Sequence, residues 1–357
     1  MKIIIGICHP KDVHFWKYII NNLENDGHAV KILAWDKDVT LYLLNAYGFN
    51  YEPIGKNHKN LIGKSYDMLK SDLKVFKVAK RFKPDIFIHG DPYLAHVSKV
   101  FGKLHIDYCD TEHAKLVHLS TFPFSDAVVT PSCFKKKINP KKHITFNGYS
   151  ELAYLHPNYF KPDPSGLDDL GLSKDNKFKF IILRFVSWGA SHDIGQHGFT
   201  NKEDLVRKIE EYGRVFITSE QKLSKRLEKY RITIPPEKMH DLLYYATMYI
   251  GEGATMATEA GILGTPSIYV SSLVGTMGNF EELEKRYRLV YSFQDPTLAL
   301  EKALELLNDN NIKEKWQKKR EKLLKEKIDV TKFMINFIEN YPESFKTLKE
   351  SETSIRV

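Results

Sequence analysis

Short apolar runs rich in β-formers alternate with helical patterns along this chain, and that alternation limits its fold more than any other feature. Seven such runs occur in residues 1–150: Ile3–Cys8, Ala29–Ala34, Tyr51–Ile54, Asp85–His89, His105–Tyr108, Ala127–Thr130 and His143–Phe146. Each suits one buried strand. Between the first two, Phe15, Ile19, Ile20 and Leu23 recur on one helical face, and Gly27 follows as a stop. Alternation of this kind implies a parallel sheet with helices on both sides, because parallel neighbours are reached only through crossovers.

A stretch rich in Pro, Asp, Gly and Ser follows, including Lys161-Pro162-Asp163-Pro164-Ser165-Gly166, and reads as a linker. A second alternation then begins, with strand candidates at Lys179–Val186, Arg214–Thr218, Met248–Ile250, Ser267–Val270 and Leu289–Tyr291. Glu203–Tyr212 and Asp241–Tyr245 are helical candidates between them. The expected organisation is a first domain over 1–155, a linker over 156–176, a second domain over 177–328, and a C-terminal helix over 329–357 returning toward the first domain. Lys313–Lys327 is heavily charged but carries Trp316, Leu323 and Leu324, which predicts a solvated amphipathic helix packed on the second domain, with a basic membrane-surface helix as the alternative.

The chain's 357 residues fit about two domains, and 42% hydrophobic content is enough for two cores. No apolar run approaches the roughly 20 residues that span a bilayer. His9, Pro10, Lys11 and Asp12 end the first apolar run too early for a signal sequence. Cys8, Cys109 and Cys133 show no CxxC spacing, so neither a disulfide framework nor structural zinc is indicated and a reducing cytoplasm fits. A net charge of +8 favours anionic partners: phosphorylated sugars, lipid surfaces or nucleic acid. The densest basic run, Lys135–Lys142, lacks the interleaved aromatics of a single-strand binder and reads as a solvated loop, with an anionic membrane surface as the alternative.

The segment Tyr249–Tyr269 reads as strand, glycine turn, short helix, Gly-Pro stop and strand. Gly251 and Gly253 permit a tight turn, Thr255 suits an N-cap, and Glu259 lies one turn inward. Helix N–H groups of Ala254, Thr255 and Met256 would face a diphosphate, and Glu259 would accept ribose hydroxyls. An ordinary α/β turn is the competing reading. Arg184, Ser187, Ser191 and His192 run off a strand into a small-residue loop suited to a diphosphate, and Glu220 ends the next strand. His240 could stack near a base, with Asp241 as a helix cap. In the first half, His14 lies near a helix start as a candidate base, with local packing as the alternative. Asp91, Asp110, Glu112 and His113 follow strands and could converge as general acids or bases. No metal-binding spacing supports a metal, and no GxGxxG supports a dinucleotide.

Asp12-Val13-His14-Phe15, Leu183–Trp188, Ala190-Ser191-His192-Asp193 and Gly251–Met256 resemble the GT-B superfamily of nucleotide-sugar enzymes, and within it a prokaryotic family of predicted glycosyltransferases. The resemblance covers nearly the whole chain. Gly253–Glu259 is similar to the Gly-Ala-x-Thr-x-Ser-Glu run of peptidoglycan N-acetylglucosaminyltransferase, which implies ribose binding by Glu259. That enzyme's first loop has a histidine where His14 stands, but glycines where this chain has His9, Pro10, Lys11 and Asp12. His89-Gly90-Asp91 and Asp110-Thr111-Glu112-His113 look like stretches of the non-hydrolysing UDP-N-acetylglucosamine 2-epimerases, which implies acid/base roles for Asp91 and Glu112. The epimerases' second-domain His-Arg-x-Glu-Asn motif is missing.

The expected fold is therefore α/β, with two Rossmann-like doubly wound domains in a GT-B arrangement and a cleft between them. The expected activity is a hexosyltransferase type of glycosyltransferase in glycan or cell-envelope biosynthesis. It would use a nucleotide diphosphate sugar, UDP-linked, and an unidentified acceptor. The first domain would supply acceptor binding and catalysis through His14, Asp91 or Glu112. The second would hold the donor through Arg184, Ser187, His192, Glu220, Gly253, Ala254, Thr255, Met256 and Glu259. No cofactor, metal or nucleic-acid partner is expected. A lipid-linked acceptor, peripheral contact at the inner membrane face and a homo-oligomer stay open. The alternatives are an epimerase on the same donor and a non-catalytic nucleic-acid binder.

Overall fold

The computed structural model describes residues 1–56, 61–168, 170–172, 179–186, 198–199, 201–220 and 222–354. The chain forms two compact units, Met1–Tyr154 with Ile328–Val357, and Leu155–Lys327.

The first unit is built on seven parallel strands: β1 (Lys2–Ile7), β2 (Ala29–Asp36), β3 (Tyr51–Lys56), β4 (Ile86–His89), β5 (Leu104–Tyr108), β6 (Ala127–Pro131) and β7 (His143–Phe146). They lie in the order β3-β2-β1-β4-β5-β6-β7. Ile3 of β1 pairs with Val30 on one side and Ile86 on the other. Helices cover both faces, which is why Ile3, Ile4, Ile5 and Ile7 are all fully buried and β1 reads as one unbroken apolar run. One core cluster joins Ile4, Leu33, Trp35, Val75, Phe87 and Leu94.

The first helix spans Pro10–Asn25 and buries Phe15, Trp16, Ile19, Ile20 and Leu23. It begins five residues before Phe15, because His9 caps it: the ring accepts from the Lys11 N–H, and Asp12 reaches back to the His9 N–H. His14 is thus a full turn inside the helix, and it is His9 that stands at the positive end. A helix over Leu61–Phe82, which no single motif announced, packs on β3. Near the C-terminus, Val330–Glu339 packs against the first helix, and Thr331 Oγ1 donates to the Ala153 carbonyl at 2.7 Å.

The second unit has five parallel strands: β8 (Phe180–Phe185), β9 (Arg214–Ser219), β10 (Met248–Gly251), β11 (Ser267–Val270) and β12 (Val290–Phe293). Their order is β12-β11-β10-β8-β9. The helix Ile312–Glu326 buries Ile312, Trp316 and Leu323 while Lys315, Lys318, Lys322 and Lys325 face outward; Lys313 instead turns inward, its Nζ donating to the Ala246 carbonyl at 2.9 Å, and Trp316 Nε1 donates to the Leu289 carbonyl at 2.8 Å. No helix among the described residues is long and apolar enough to cross a membrane.

In a doubly wound sheet, ligands gather at the carboxyl ends of the strands, where the winding direction reverses. That reversal falls between β1 and β4 in the first unit and between β8 and β10 in the second.

Candidate functional site

At the first reversal, β4 leaves the sheet through three successive left-handed residues, His89 (φ 54°), Gly90 (φ 90°) and Asp91 (φ 53°). Such a conformation costs a side-chain-bearing residue roughly 1–2 kcal/mol, so the surroundings must impose it. Gly6 of β1 admits the turn: a Cβ there would lie 2.2 Å from the Gly90 Cα. The His89 carbonyl is also held, with His105 Nε2 at 3.1 Å. Asp91 therefore does not cap the helix it starts (Asp91–Val100), since Gly90 occupies that place.

Charge collects around this turn. His89 lies between two carboxylates, Asp12 at 3.5 Å and Asp107 at 3.6 Å. Burial opposes its protonation, but Asp12 and Asp107 outweigh burial and raise the imidazole well above its usual range. Asp12 accepts from the Cys8 and His9 N–H groups, both at 2.8 Å. Burial works against its charge, yet His89 and these N–H groups hold it below the ordinary carboxylate range. Asp91 goes the other way: burial first, then the Asp12 and Asp107 charges, push it up. Burial and the neighbouring Asp91 likewise raise the Cys8 thiol.

A second network adjoins the first through Lys11. Its ammonium lies 2.6 Å from Asp110 and 3.1 Å from Glu151, which is 1% exposed. Although burial resists the charge, Lys11 and the Ser150 hydroxyl bring Asp110 down to about 2.

The candidate acid/base residues thus occupy distinct neighbourhoods of the first unit. Asp91 belongs to the His89 cluster and Asp110 to the Lys11 cluster. Glu112 accepts from the Lys135 N–H at 3.4 Å. His14, 8% exposed, lies with Nδ1 3.2 Å from the Tyr47 hydroxyl and its ring against Tyr154. Cys8, Lys11, Asp12, His89, Asp107, Ser150 and Glu151 join these networks without being candidates from the sequence, although His89 ends β4 and Cys8 follows β1, the same strand-end rule that singles out Asp91.

The second reversal is built differently. The helix Ala254–Ile262 begins directly after β10, capped by Gly253 with no side-chain bond, so Thr255 is inside the helix and not its cap. Its ladder starts with the Ala257 N–H donating to Gly253, which leaves the N–H groups of Ala254, Thr255 and Met256 ahead of it. The glycines here serve close approach, not unusual φ: Gly253 has φ −85°. A Cβ on Gly251 would lie 2.5 Å from the Tyr249 hydroxyl and 2.7 Å from Arg184 Cβ, and one on Gly253 would lie 3.0 Å from Arg184 Cγ. Arg184 is thereby laid along the helix start. Its guanidinium donates to Thr218 Oγ1 at 2.9 Å and pairs with Glu220.

Behind this end sits a buried pair: Glu259 Oε1 lies 3.0 Å from His240 Nε2, with the two residues 4% and 5% exposed. His240 is therefore a partner of Glu259, and Asp241 accepts from the Asp163 N–H instead of capping its helix, Met239–Tyr245. Glu252, 3% exposed, accepts from the Val186 N–H at 2.9 Å and the Phe199 N–H at 2.7 Å. Ser187, Ser191 and His192 lie outside the described residues. Among the described residues, no group of three or more His, Cys, Asp or Glu is arranged to hold a metal.

Both sheets match solved GT-B structures. UDP-GlcNAc 2-epimerase from Methanocaldococcus jannaschii aligns with a TM-score of 0.62 at 16% identity, over 87% of this chain and 94% of that one. The Neisseria meningitidis UDP-GlcNAc 2-epimerase bound to UDP-GlcNAc aligns with 0.61 at 13% identity, over 95% of this chain and 100% of that one. Spinosyn rhamnosyltransferase SpnG, complexed with spinosyn aglycone, aligns with 0.59 at 10% identity, over 95% and 100%. These likenesses establish the GT-B fold. In sequence, an uncharacterized protein of Methanocaldococcus jannaschii is 25% identical over 292 residues, 77% of this chain and 84% of that protein. Residues 1–343 match the family described as a protein of unknown function, DUF354, and the chain belongs to that family.

Proposed function

We propose that the protein is a glycosyltransferase that takes its sugar from a nucleotide diphosphate sugar, with UDP as the nucleotide. The observation that carries this reading is the Ala254–Ile262 helix start, with the Arg184 stem packed on Gly253 and the buried Glu259–His240 pair behind it. Helix N–H groups and a guanidinium suit a diphosphate, and a carboxylate fixed by a histidine suits ribose hydroxyls. Neighbouring folds solved with UDP-GlcNAc and with an aglycone acceptor support the same two ligand classes.

In the reaction, an acceptor oxygen bonds to the sugar's anomeric carbon as that carbon's bond to the diphosphate oxygen breaks. The acceptor proton passes to a base, and the departing diphosphate is stabilised by Arg184 and the amides of Ala254, Thr255 and Met256. Of Asp91, Glu112 and His14, Asp91 suits the base best, because burial and its carboxylate neighbours raise its proton affinity. The product would serve glycan or cell-envelope synthesis.

A second reading, epimerisation of the same donor, draws support from the left-handed His89-Gly90-Asp91 turn and from the epimerase neighbours. Incubation with UDP-N-acetylglucosamine alone separates the two. Transfer predicts no epimer without an acceptor, and accumulation of the epimer would overturn it. A panel of nucleotide sugars read by thermal stabilisation identifies the donor.

A further inference from the structure

The helix Lys115–Thr121 carries Leu116 and Leu119 one turn apart, each 72% exposed, while His118 on the other face is 3% exposed. Phe124, 39% exposed, ends the turn that follows. This exposed apolar edge does not stand alone, because a basic loop is fastened beside it. Lys142 Nζ donates to the Pro123 and Ser125 carbonyls at 2.9 and 2.7 Å, and Lys136 Nζ bonds to His118 Nδ1. Lys115, Lys135, Lys137 and Lys141 are all exposed. From His113 to Tyr149 the chain carries six lysines and a single carboxylate residue, Asp126, which Lys99 engages at 2.7 Å.

We infer that this face, with Leu116, Leu119 and Phe124 ringed by Lys115, Lys135, Lys137 and Lys141, docks on an anionic lipid surface. Aliphatic side chains enter the acyl boundary while lysines meet the headgroups, a pairing of apolar area and positive charge that lipid satisfies with one partner. A second copy of the chain fits poorly, since a two-fold contact through this face would set lysines against lysines. Nucleic acid would meet the lysines but leave Leu116 and Leu119 without use. Glu112 accepts from the Lys135 backbone, so the docked face adjoins a candidate catalytic loop.

Co-sedimentation of the full chain with phosphatidylcholine vesicles, with and without phosphatidylglycerol, tests this. Binding is expected only with phosphatidylglycerol, and it should weaken as salt rises. Leu116→Ser with Leu119→Ser should weaken it at least about tenfold. Replacing Lys135, Lys137 and Lys141 by Gln should weaken it roughly a hundredfold. All five side chains are exposed, so thermal midpoints should stay at the wild-type value, and retained folding separates lost docking from lost structure. Equal binding to uncharged vesicles, no binding to either kind, or a dimer that dissociates in the leucine variant while vesicles are ignored would each overturn the inference. No nucleotide sugar enters the assay, so its outcome is separate from that of the transferase reading.

Discussion

Where β1 and β4 diverge, the first unit gathers Asp12, His89, Asp91 and Asp107 around a strained turn, with Lys11, Asp110 and Glu151 beside them. Where β8 and β10 diverge, the second unit offers two glycines, a helix start and one arginine, with its carboxylate–histidine pair buried behind. The first arrangement shifts proton affinities in both directions, raising Asp91 and His89 and lowering Asp12 and Asp110. The second presents N–H dipoles that carry no titratable proton. One sheet type thus yields a region suited to moving protons and a region suited to holding phosphates, and the difference lies in which residues occupy equivalent strand ends.

The comparison breaks most sharply at its glycines. Gly6→Ala would drive a methyl into the Gly90 backbone, which cannot yield, so the first unit should lose about 3 kcal/mol or more in denaturant unfolding. Gly253→Ala meets the flexible Arg184 stem at 3.0 Å and makes an ordinary contact with the Tyr249 hydroxyl at 3.4 Å, so it should cost less than about 1 kcal/mol while weakening UDP binding. Equal losses from the two would mean that the turns are not constrained as described.

Acid should act next, and through the first unit. His9 is lowered to about 4 by burial and Lys37, and His118 to about 4 by burial and Lys136. Both are neutral when folded and protonate more readily unfolded, so their contribution is complete above about pH 6.5 and is lost as pH falls toward 4. Each accounts for about 3 kcal/mol at most. His89 has the opposite sign: its raised affinity stabilises fully below pH 6.5 and is lost as pH climbs through its folded value. Denaturation midpoints across this window should fall toward acid, and the slope should lessen in His9→Asn, which keeps a helix cap. An unchanged slope would contradict the assignment.

Glu259→Ala strands buried His240 and should cost about 1–3 kcal/mol along with nucleotide affinity, whereas Glu259→Gln should recover part of the stability. Calorimetric titration with UDP alongside unfolding separates the two losses, and unchanged affinity in Glu259→Ala would remove the ribose role. The smallest effect belongs to Glu220→Ala. Its carboxylate is 43% exposed, so the ion pair should contribute less than about 1 kcal/mol, and UDP binding should persist through Arg184.

Apolar runs mark all twelve strands, most clearly β1, β6, β8, β10 and β11, whose residues are almost all buried and leave few polar positions to blur the signal; β3, with Glu52 inside it and Pro53 exposed, and the half-buried β12 are fainter. Helix starts were less legible. The Pro10 start was hidden because histidine is an uncommon N-cap, and Thr255 misled because a good capping residue can also sit in a first turn that glycine already caps. Asp91 was found from its place after a strand, but the Gly6–Gly90 contact joins residues far apart in sequence and has no local signature. The same holds for His240 with Glu259 and for Glu252 with the Val186 and Phe199 amides: each residue is visible in the chain, and the partner is not.

Isothermal titration of the full chain with UDP, UMP and uridine tests most directly the proposal that the Ala254–Ile262 helix start holds a diphosphate. UDP should bind, UMP should bind at least about tenfold more weakly, Gly253→Ala should narrow that difference, and uridine should bind weakest. Equal affinity for all three, or a preference for UDP that Gly253→Ala leaves intact, would contradict it.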